Sequence, residues 1–232
     1  MKCVVLQPSY IPWRGYFDQI QRADTFIFYD DVQYDKHGWR NRNKIKTANG
    51  TIWLTIPVIS HGNVTEGTPI NEIKIRPGDN WRKKHLTSIQ YAYSKAPFFD
   101  EVFPVLEKIY KNETDSLSDF TIESTIELAR FIGIDKTKFL RSSELSAEGR
   151  KTDRLLAMLG QLGVSHYISG PSAKSYIEYD KFEAAGITLE FMEYNYPEYE
   201  QLYPPFEAQV SVIDLLFMLG KDDASLSFDI TG

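Results

Sequence analysis

QPSYIPWRGYFDQI, residues 7–20, follows the apolar run Val4-Val5-Leu6 and leads into a short amphipathic segment. Pro8 and Pro12 fix φ and remove amide donors, so neither a strand nor a helix passes through this stretch unbroken. Gly15 permits close backbone packing or a φ that other residues avoid. The reading is a core strand that ends in a stiff, aromatic-lined turn, with a helix beginning near Gly15. In open α/β sheets that junction, outside the carboxyl end of the strand, is where ligands bind. The competing reading is a hydrophobic loop packed on the core through Tyr10, Trp13 and Tyr16. Gln7, Ser9 and Arg14 favour the ligand reading, because packing alone needs no polar groups there.

Working outward, Lys2–Leu6 reads as a buried strand, Tyr16–Arg22 as a short helix and Phe26–Tyr29 as a second, aromatic strand. This β-α-β spacing predicts parallel strands joined by a right-handed crossover. Asp30 and Asp31 then lie at the carboxyl end of the second strand, suited to an amine or a metal, or simply solvated. Gln33–Lys46, QYDKHGWRNRNKIK, gathers Lys36, His37, Arg40, Arg42, Lys44 and Lys46 around Tyr34 and Trp39. Cations with the side-chain amides of Asn41 and Asn43 suit a phosphate or carboxylate, and the aromatics suit a base or sugar. A plain surface loop is the alternative.

Asn49-Gly50 between Lys44–Lys46 and Thr51–Ile56 is a hairpin signal. Ser60–Pro69 reads as a mobile loop and Ile70–Ile75 as a further strand, so residues 44–76 form a hairpin insertion. Residues 80–133 form a helical segment: Trp81–Tyr93, capped by Asp79 or Asn80, then Phe98–Lys111 and Ser116–Ile132, stopped by Gly133. Lys84 and His85, near the start of the first of these helices, are further anion candidates.

Thr137–Leu140 and His166–Ile168 read as strands flanking a helix from Lys151 to Leu162. The second of these strands runs into Ser169-Gly170-Pro171-Ser172-Ala173-Lys174. Backbone amides there can approach an oxyanion, and Lys174 can neutralise developing charge; a structural turn is the alternative. Lys181–Ala185 is a short helix, Ile187–Glu193 a strand, and Val210–Leu219 an apolar helix capped by Ser211, ended by Gly220 and followed by a frayed extension. The aromatic, proline-rich segment Tyr194–Phe206 precedes that last helix. The fold class is α/β, a Rossmann-like, mostly parallel sheet in one domain over residues 1–232.

The 232 residues are 42% hydrophobic, enough for a sizeable core, and the formal net charge of −6 argues against general nucleic-acid binding. The single cysteine, Cys3, reads as a buried hydrophobe in a reducing, cytoplasmic protein. No leader pattern and no run of about 18 apolar residues is visible, so no membrane insertion is expected. GxGxxG, HExxH, GxSxG and zinc-type Cys/His spacing are absent, no structural metal is expected, and His37, His61, His85 and His166 lie far apart in the chain.

QPSYIPWRGYFDQI, FIFYDDVQYDKHGWRNRNKIKTANGTIWLTIPV, SSEL, YISGPSAKSYI and SVIDLLF together resemble the WbqC-like family, over about Lys2–Gly220. The resemblance implies a protein of bacterial surface-polysaccharide (O-antigen) gene clusters, with glycine transfer to an amino sugar as the suggested role. Many members carry His or Met before the opening Gln; Leu6 stands there in this chain, so no histidine serves at that position. In fold order Trp13-Arg14-Gly15-Tyr16 also occupies the place of the HxGH signature of nucleotidylyltransferases, with Trp13 and Tyr16 where the histidines would be.

The resulting expectation is a transferase joining an amino acid such as glycine to a nucleotide-activated amino sugar, with ATP and magnesium as cofactors or charged tRNA as donor. Arg40, Arg42 and Lys44 would bind phosphate or carboxylate, and Gln7, Ser9 and Tyr10 would orient the reacting group. Asp30 or Asp31 would hold or deprotonate the amine, and Lys174 would stabilise negative charge. Trp13, Tyr16, His37, Trp39, Asn41, His85, Ser169, Gly170 and Ser172 complete the candidate site. Two alternatives stay open: a nucleotidyl or sugar transferase, and a non-catalytic scaffold using the Tyr194–Phe206 aromatics for protein contact. Single-stranded RNA contact by the basic loop is a further possibility that a charged-tRNA donor would favour.

Overall fold

A computed structural model describes residues 1–59 and 67–226. Five strands, β1 (Lys2–Leu6), β2 (Thr25–Phe28), β5 (Lys138–Arg141), β6 (His166–Ser169) and β7 (Thr188–Phe191), form one sheet in the order β5-β2-β1-β6-β7. Every pairing in it is parallel. Counted along the chain, these five strands run 3-2-1-4-5 across the sheet, the order of Rossmann-like α/β folds.

The strands are apolar runs rather than alternating ones because both faces of the sheet are covered. Val4, Phe26 and Phe28 face one core with Phe17 and Ile20 of α1 (Arg14–Arg22) and Leu128 of α4 (Leu117–Ile132). Cys3, Val5 and Ile27 face the other, with Leu155, Met158 and Leu159 of α5 (Lys151–Gln161) and Phe182 of α6 (Tyr179–Ala184). Burial pushes the Cys3 thiol up to about 12, so it stays protonated and inert.

Between β2 and β5 the chain makes its insertion. Strands β3 (Arg42–Thr47) and β4 (Gly50–Thr55) form a separate antiparallel ribbon, with Gly50 at φ 101 in its tight turn. Ile70–Glu72 is a 3₁₀ turn where a strand was expected, and Ile75 makes only an isolated bridge with Val58. Of the expected mobile loop, residues 60–66, with His61, lie outside the described residues. Helices α2 (Trp81–Tyr93), α3 (Phe99–Tyr110) and α4 follow. The Ser116 hydroxyl accepts from the Asp119 amide at the start of α4, and Gly133 ends it at φ 93. Neither Asp79 nor Asn80 caps α2 as expected: no side chain bonds its first turn, and the Asp79 carboxylate is occupied by Lys84.

The last helix, α7 (Val212–Leu226), breaks at Gly220, φ 70, and helix resumes beyond it to Leu226; residues 227–232 of the expected frayed extension lie outside the described residues. Segment 193–211 crosses α1: Arg14 donates to the Pro197 carbonyl at 2.8 Å and the Tyr196 hydroxyl to Asp18 at 2.6 Å. Tyr199 donates to Asp214 of α7 at 2.7 Å. Tyr194, Tyr196 and Tyr199 are thus half-buried and turned into the chain, not presented outward for a partner.

Candidate functional site

β1 lies between β2 and β6, and the chain builds the sheet outward on the β2 side before returning to the β6 side. Two strands that lead away in opposite directions leave a crevice beyond their carboxyl ends. A cleft of about 650 Å³ occurs there, lined by Leu6 at the end of β1, by Gln7 and Ser9 after it and by Gly170, Pro171 and Ser172 after β6.

The turn after β1 is held from several sides. Arg40 donates through Nη1 to the carbonyls of Gln7 (3.0 Å) and Pro8 (3.3 Å), and the Tyr16 hydroxyl donates to Gln7 as well. Ile11 sits at φ 33, which a β-branched residue rarely adopts. The buried Asn43 amide fastens it, Nδ2 donating to the carbonyls of Tyr10 (3.2 Å) and Ile11 (2.8 Å). At Gly15 a Cβ would enter the Trp13 indole; glycine lets that ring fold over the start of α1, where it meets Tyr194 edge-on at 4.9 Å.

No Asp, Glu, His, Cys or Lys lines the cleft among the described residues, and Arg40 is its one cation. Neither Arg40 nor the neighbouring Arg42 and Lys44 has a carboxylate within 4.0 Å among the described residues. Burial lowers the Arg40 pKa, but a guanidinium keeps its charge in a protein. Its Nε is buried with no partner. Gln19, 3% exposed, donates through Nε2 to the Gly15 carbonyl and, at 2.9 Å, to the Tyr194 hydroxyl. Its Oε1 has no donor. Burial, reinforced by Asp18, raises the Tyr194 phenol to about 12, so it keeps its proton. Positive charge with no direct salt bridge among the described residues, Asp35 acting only from farther off, together with an unpartnered amide oxygen and aromatic walls in a concavity, suits an anionic ligand with a planar ring.

Of the residues singled out from sequence, the cleft gathers Gln7, Ser9, Trp13, Tyr16, Trp39, Arg40, Gly170 and Ser172. The others lie elsewhere. Asp30 is fully buried, accepting from the Ser143 amide (3.0 Å) and the Ser143 hydroxyl (2.9 Å). Asp31 pairs with Arg154 and accepts from the Ser142 hydroxyl at 2.6 Å. With these partners neither carboxylate is placed to take a proton from a ligand in the cleft. The Lys174 ammonium lies over the Phe191 ring at 5.3 Å, and Ser169 is buried as the last residue of β6.

Tyr10 and His85 are core residues, joined at 2.7 Å with Tyr110 on the other side of the Tyr10 hydroxyl. Burial pushes His85 down to about 4, so it stays neutral and attracts no anion. Asn41 is buried and donates to Ile56, His37 is exposed, and Arg42 and Lys44 sit over Trp53 on the hairpin.

Asn43, named with Asn41 as suited to a phosphate or carboxylate, lines the cleft too, and Gln19, Tyr29, Tyr176, Tyr194 and Gln209 line it without having been singled out for it. For Gln19 a signal existed: it follows Gly15 by four residues and Tyr16 by three, which puts all three on one face of α1. Tyr194 and Gln209 arrive from the far end of the chain with no local mark. Among the described residues no three His, Cys, Asp or Glu side chains group to hold a metal, and no helix is long and apolar enough to cross a membrane.

An α/β Rossmann-like protein with an aromatic-walled crevice carrying one arginine at its strand-order switch is the class defined by this fold and site. The chain belongs to the WbqC-like protein family, which matches residues 7–226. It is 39% identical over 223 residues, 95% of each chain, to Uncharacterized protein Rv1507c of Mycobacterium tuberculosis. No solved structure matches it.

Proposed function

We propose that this protein is a cytoplasmic transferase of bacterial surface-polysaccharide biosynthesis that forms an amide between an amino acid, glycine foremost, and the amine of a nucleotide-activated sugar. The observation that carries the reading is Arg40, a half-buried guanidinium with no carboxylate within 4.0 Å among the described residues and only Asp35 acting on it from farther off, in an aromatic-walled cleft at the strand-order switch. About 650 Å³ suits one nucleotide sugar. Arg40 would take the diphosphate, Trp13 and Trp39 the base, and Gln7, Gln19 and Ser172 the sugar hydroxyls and amine. The glycyl group and the amino-sugar acceptor rest on the family resemblance.

The amine nitrogen adds to the carbonyl carbon of the activated amino acid. A C–N bond forms, the C–O bond to the carrier breaks, and the carrier oxygen leaves with the electron pair while the amine gives up a proton. The described lining has no ordinary general base, so the protein contributes by holding two ligands in reacting geometry and by neutralising phosphate charge. ATP would supply activation as an aminoacyl adenylate, the amino-acid carboxylate displacing pyrophosphate from the α-phosphate. The lining has no carboxylate for magnesium, so no step is assigned to that ion.

The test is incubation with ATP, magnesium, glycine and a nucleotide-linked 4-amino sugar, and separately with glycyl-tRNA, followed by mass spectrometry. A glycyl mass added to the sugar, lost in Arg40→Ala, is expected. Failure of any nucleotide sugar to bind by calorimetry at millimolar concentration would overturn the reading.

A further inference from the structure

The proposed reaction needs two ligands, and on that reading the nucleotide sugar would take Arg40, the one cation among the described residues that line the cleft. The phosphates of the amino-acid carrier therefore need cations outside it. Beside the rim, Trp39 and Trp53 are 38% and 44% exposed, and their rings lie 5.1 Å apart at 38°. The Arg42 guanidinium is 4.6 Å and the Lys44 ammonium 5.3 Å from the centre of the Trp53 ring. The hairpin register produces this cluster: Lys44 pairs with Trp53 and Arg42 with Thr55, which sets these side chains on one face of the ribbon. Among the described residues neither cation has a carboxylate within 4.0 Å, in a chain whose formal net charge is −6. Trp39 belongs to both surfaces, since it also lines the cleft.

Resting on the transferase reading above, we propose that this face of the hairpin holds the single-stranded 3′ end of an aminoacylated RNA. Bases stack on the exposed indoles, Arg42 and Lys44 meet the phosphates, and the aminoacyl ester passes Trp39 into the cleft. The sugar amine then adds to the ester carbonyl. A C–N bond forms, the C–O bond to the terminal ribose breaks, and the ribose oxygen leaves with the electron pair and takes up the proton released by the amine. An exposed aromatic pair beside two cations, of which Arg42 also donates to the His37 carbonyl at 2.7 Å, selects an unstacked strand; a duplex hides its base faces.

The experiment is fluorescence anisotropy of a labelled ten-nucleotide RNA ending in CCA, with uncharged bulk tRNA as competitor and duplex DNA as control. Calorimetry with a nucleotide-linked amino sugar runs in parallel, and circular dichroism melts check that each variant is folded. The wild type is expected to bind the decamer and tRNA, with log K falling against log salt at a slope of about −1.4 for two phosphates. The double substitution Arg42→Ala/Lys44→Ala should flatten that slope, and Trp53→Ala should weaken the decamer at least about tenfold. RNA left unbound while the nucleotide sugar binds overturns this proposal alone and returns the donor to a small adenylate. RNA bound equally by the variants, or no better than duplex DNA, overturns the assigned face. Neither ligand binding removes both the proposal and the reading beneath it.

Discussion

The parallel sheet ends in two polar regions of opposite character. Beyond β2 and β5, Asp30 and Asp31 meet Ser142, Ser143 and Arg154, and the carboxylates are taken up by donors of the chain itself. Beyond β1 and β6, among the described residues, Arg40 has no carboxylate within 4.0 Å, its Nε has no hydrogen-bond partner, and the Gln19 amide oxygen has no donor. Charge alone marks neither place as functional. A buried polar group costs free energy unless paired, so satisfied groups hold the fold together and orphaned ones at a concavity point to an absent ligand.

That contrast is broken or sharpened by substitution. The largest effect is expected at the satisfied end. Asp30→Ala strands the Ser143 amide and hydroxyl, and should lower unfolding stability by about 4 kcal/mol in urea denaturation. A loss under about 1 kcal/mol would return Asp30 to the catalytic candidates.

A second satisfied group, His85, gives a pH signature. It packs against Tyr10, Tyr110 and Trp81, with Asp79 and Lys84 nearby and the Thr55 backbone carbonyl accepting from its ring. Its folded pKa of about 4 lies below the ordinary 6.5 because burial disfavours the imidazolium. The unfolded chain therefore binds the extra proton first. Stability conferred by neutral His85 is complete above about pH 6.5 and is lost as pH falls toward 4, by up to about 3 kcal/mol. The difference in stability between wild type and His85→Gln should shrink over that window; a constant difference would place His85 outside the core network.

The open end should respond in binding. Arg40→Ala is expected to lower nucleotide-sugar affinity about a hundredfold, with Arg40→Lys recovering part of it because an ammonium cannot reproduce the planar fork. Its stability loss should stay below that of Asp30→Ala. Smallest is Gln19→Leu, which removes the orphaned oxygen together with the donor to Tyr194. Affinity should fall about tenfold while stability changes by about 1 kcal/mol. Unchanged affinity in calorimetry would mean that Gln19 serves only to tie α1 to Tyr194.

The opening turn was legible because its signals are local. Val4-Val5-Leu6 must be buried, Pro8 and Pro12 end the strand, and Gly15 admits the Trp13 ring. Gln7, Ser9, Trp13, Tyr16 and Arg40 follow from that one stretch and the loop that locks it. Asp30, Asp31, Lys174 and His85 show the limit of the same reasoning. Their residue types suit catalysis, but a side chain's role depends on its partners, and Ser142, Arg154, Phe191 and Tyr10 lie far from them in the chain.

By itself the sequence determined the class of fold: apolar runs must be covered on both faces, and strands alternating with helices pair in parallel. It also determined where that fold turns outward, because proline and glycine act within a few residues. The tertiary structure alone decided which polar groups remain unpaired. Gln19, Tyr194 and Arg40 meet across up to 175 residues of chain, and hydrogen-bond satisfaction is a property of proximity in space, which no local pattern encodes.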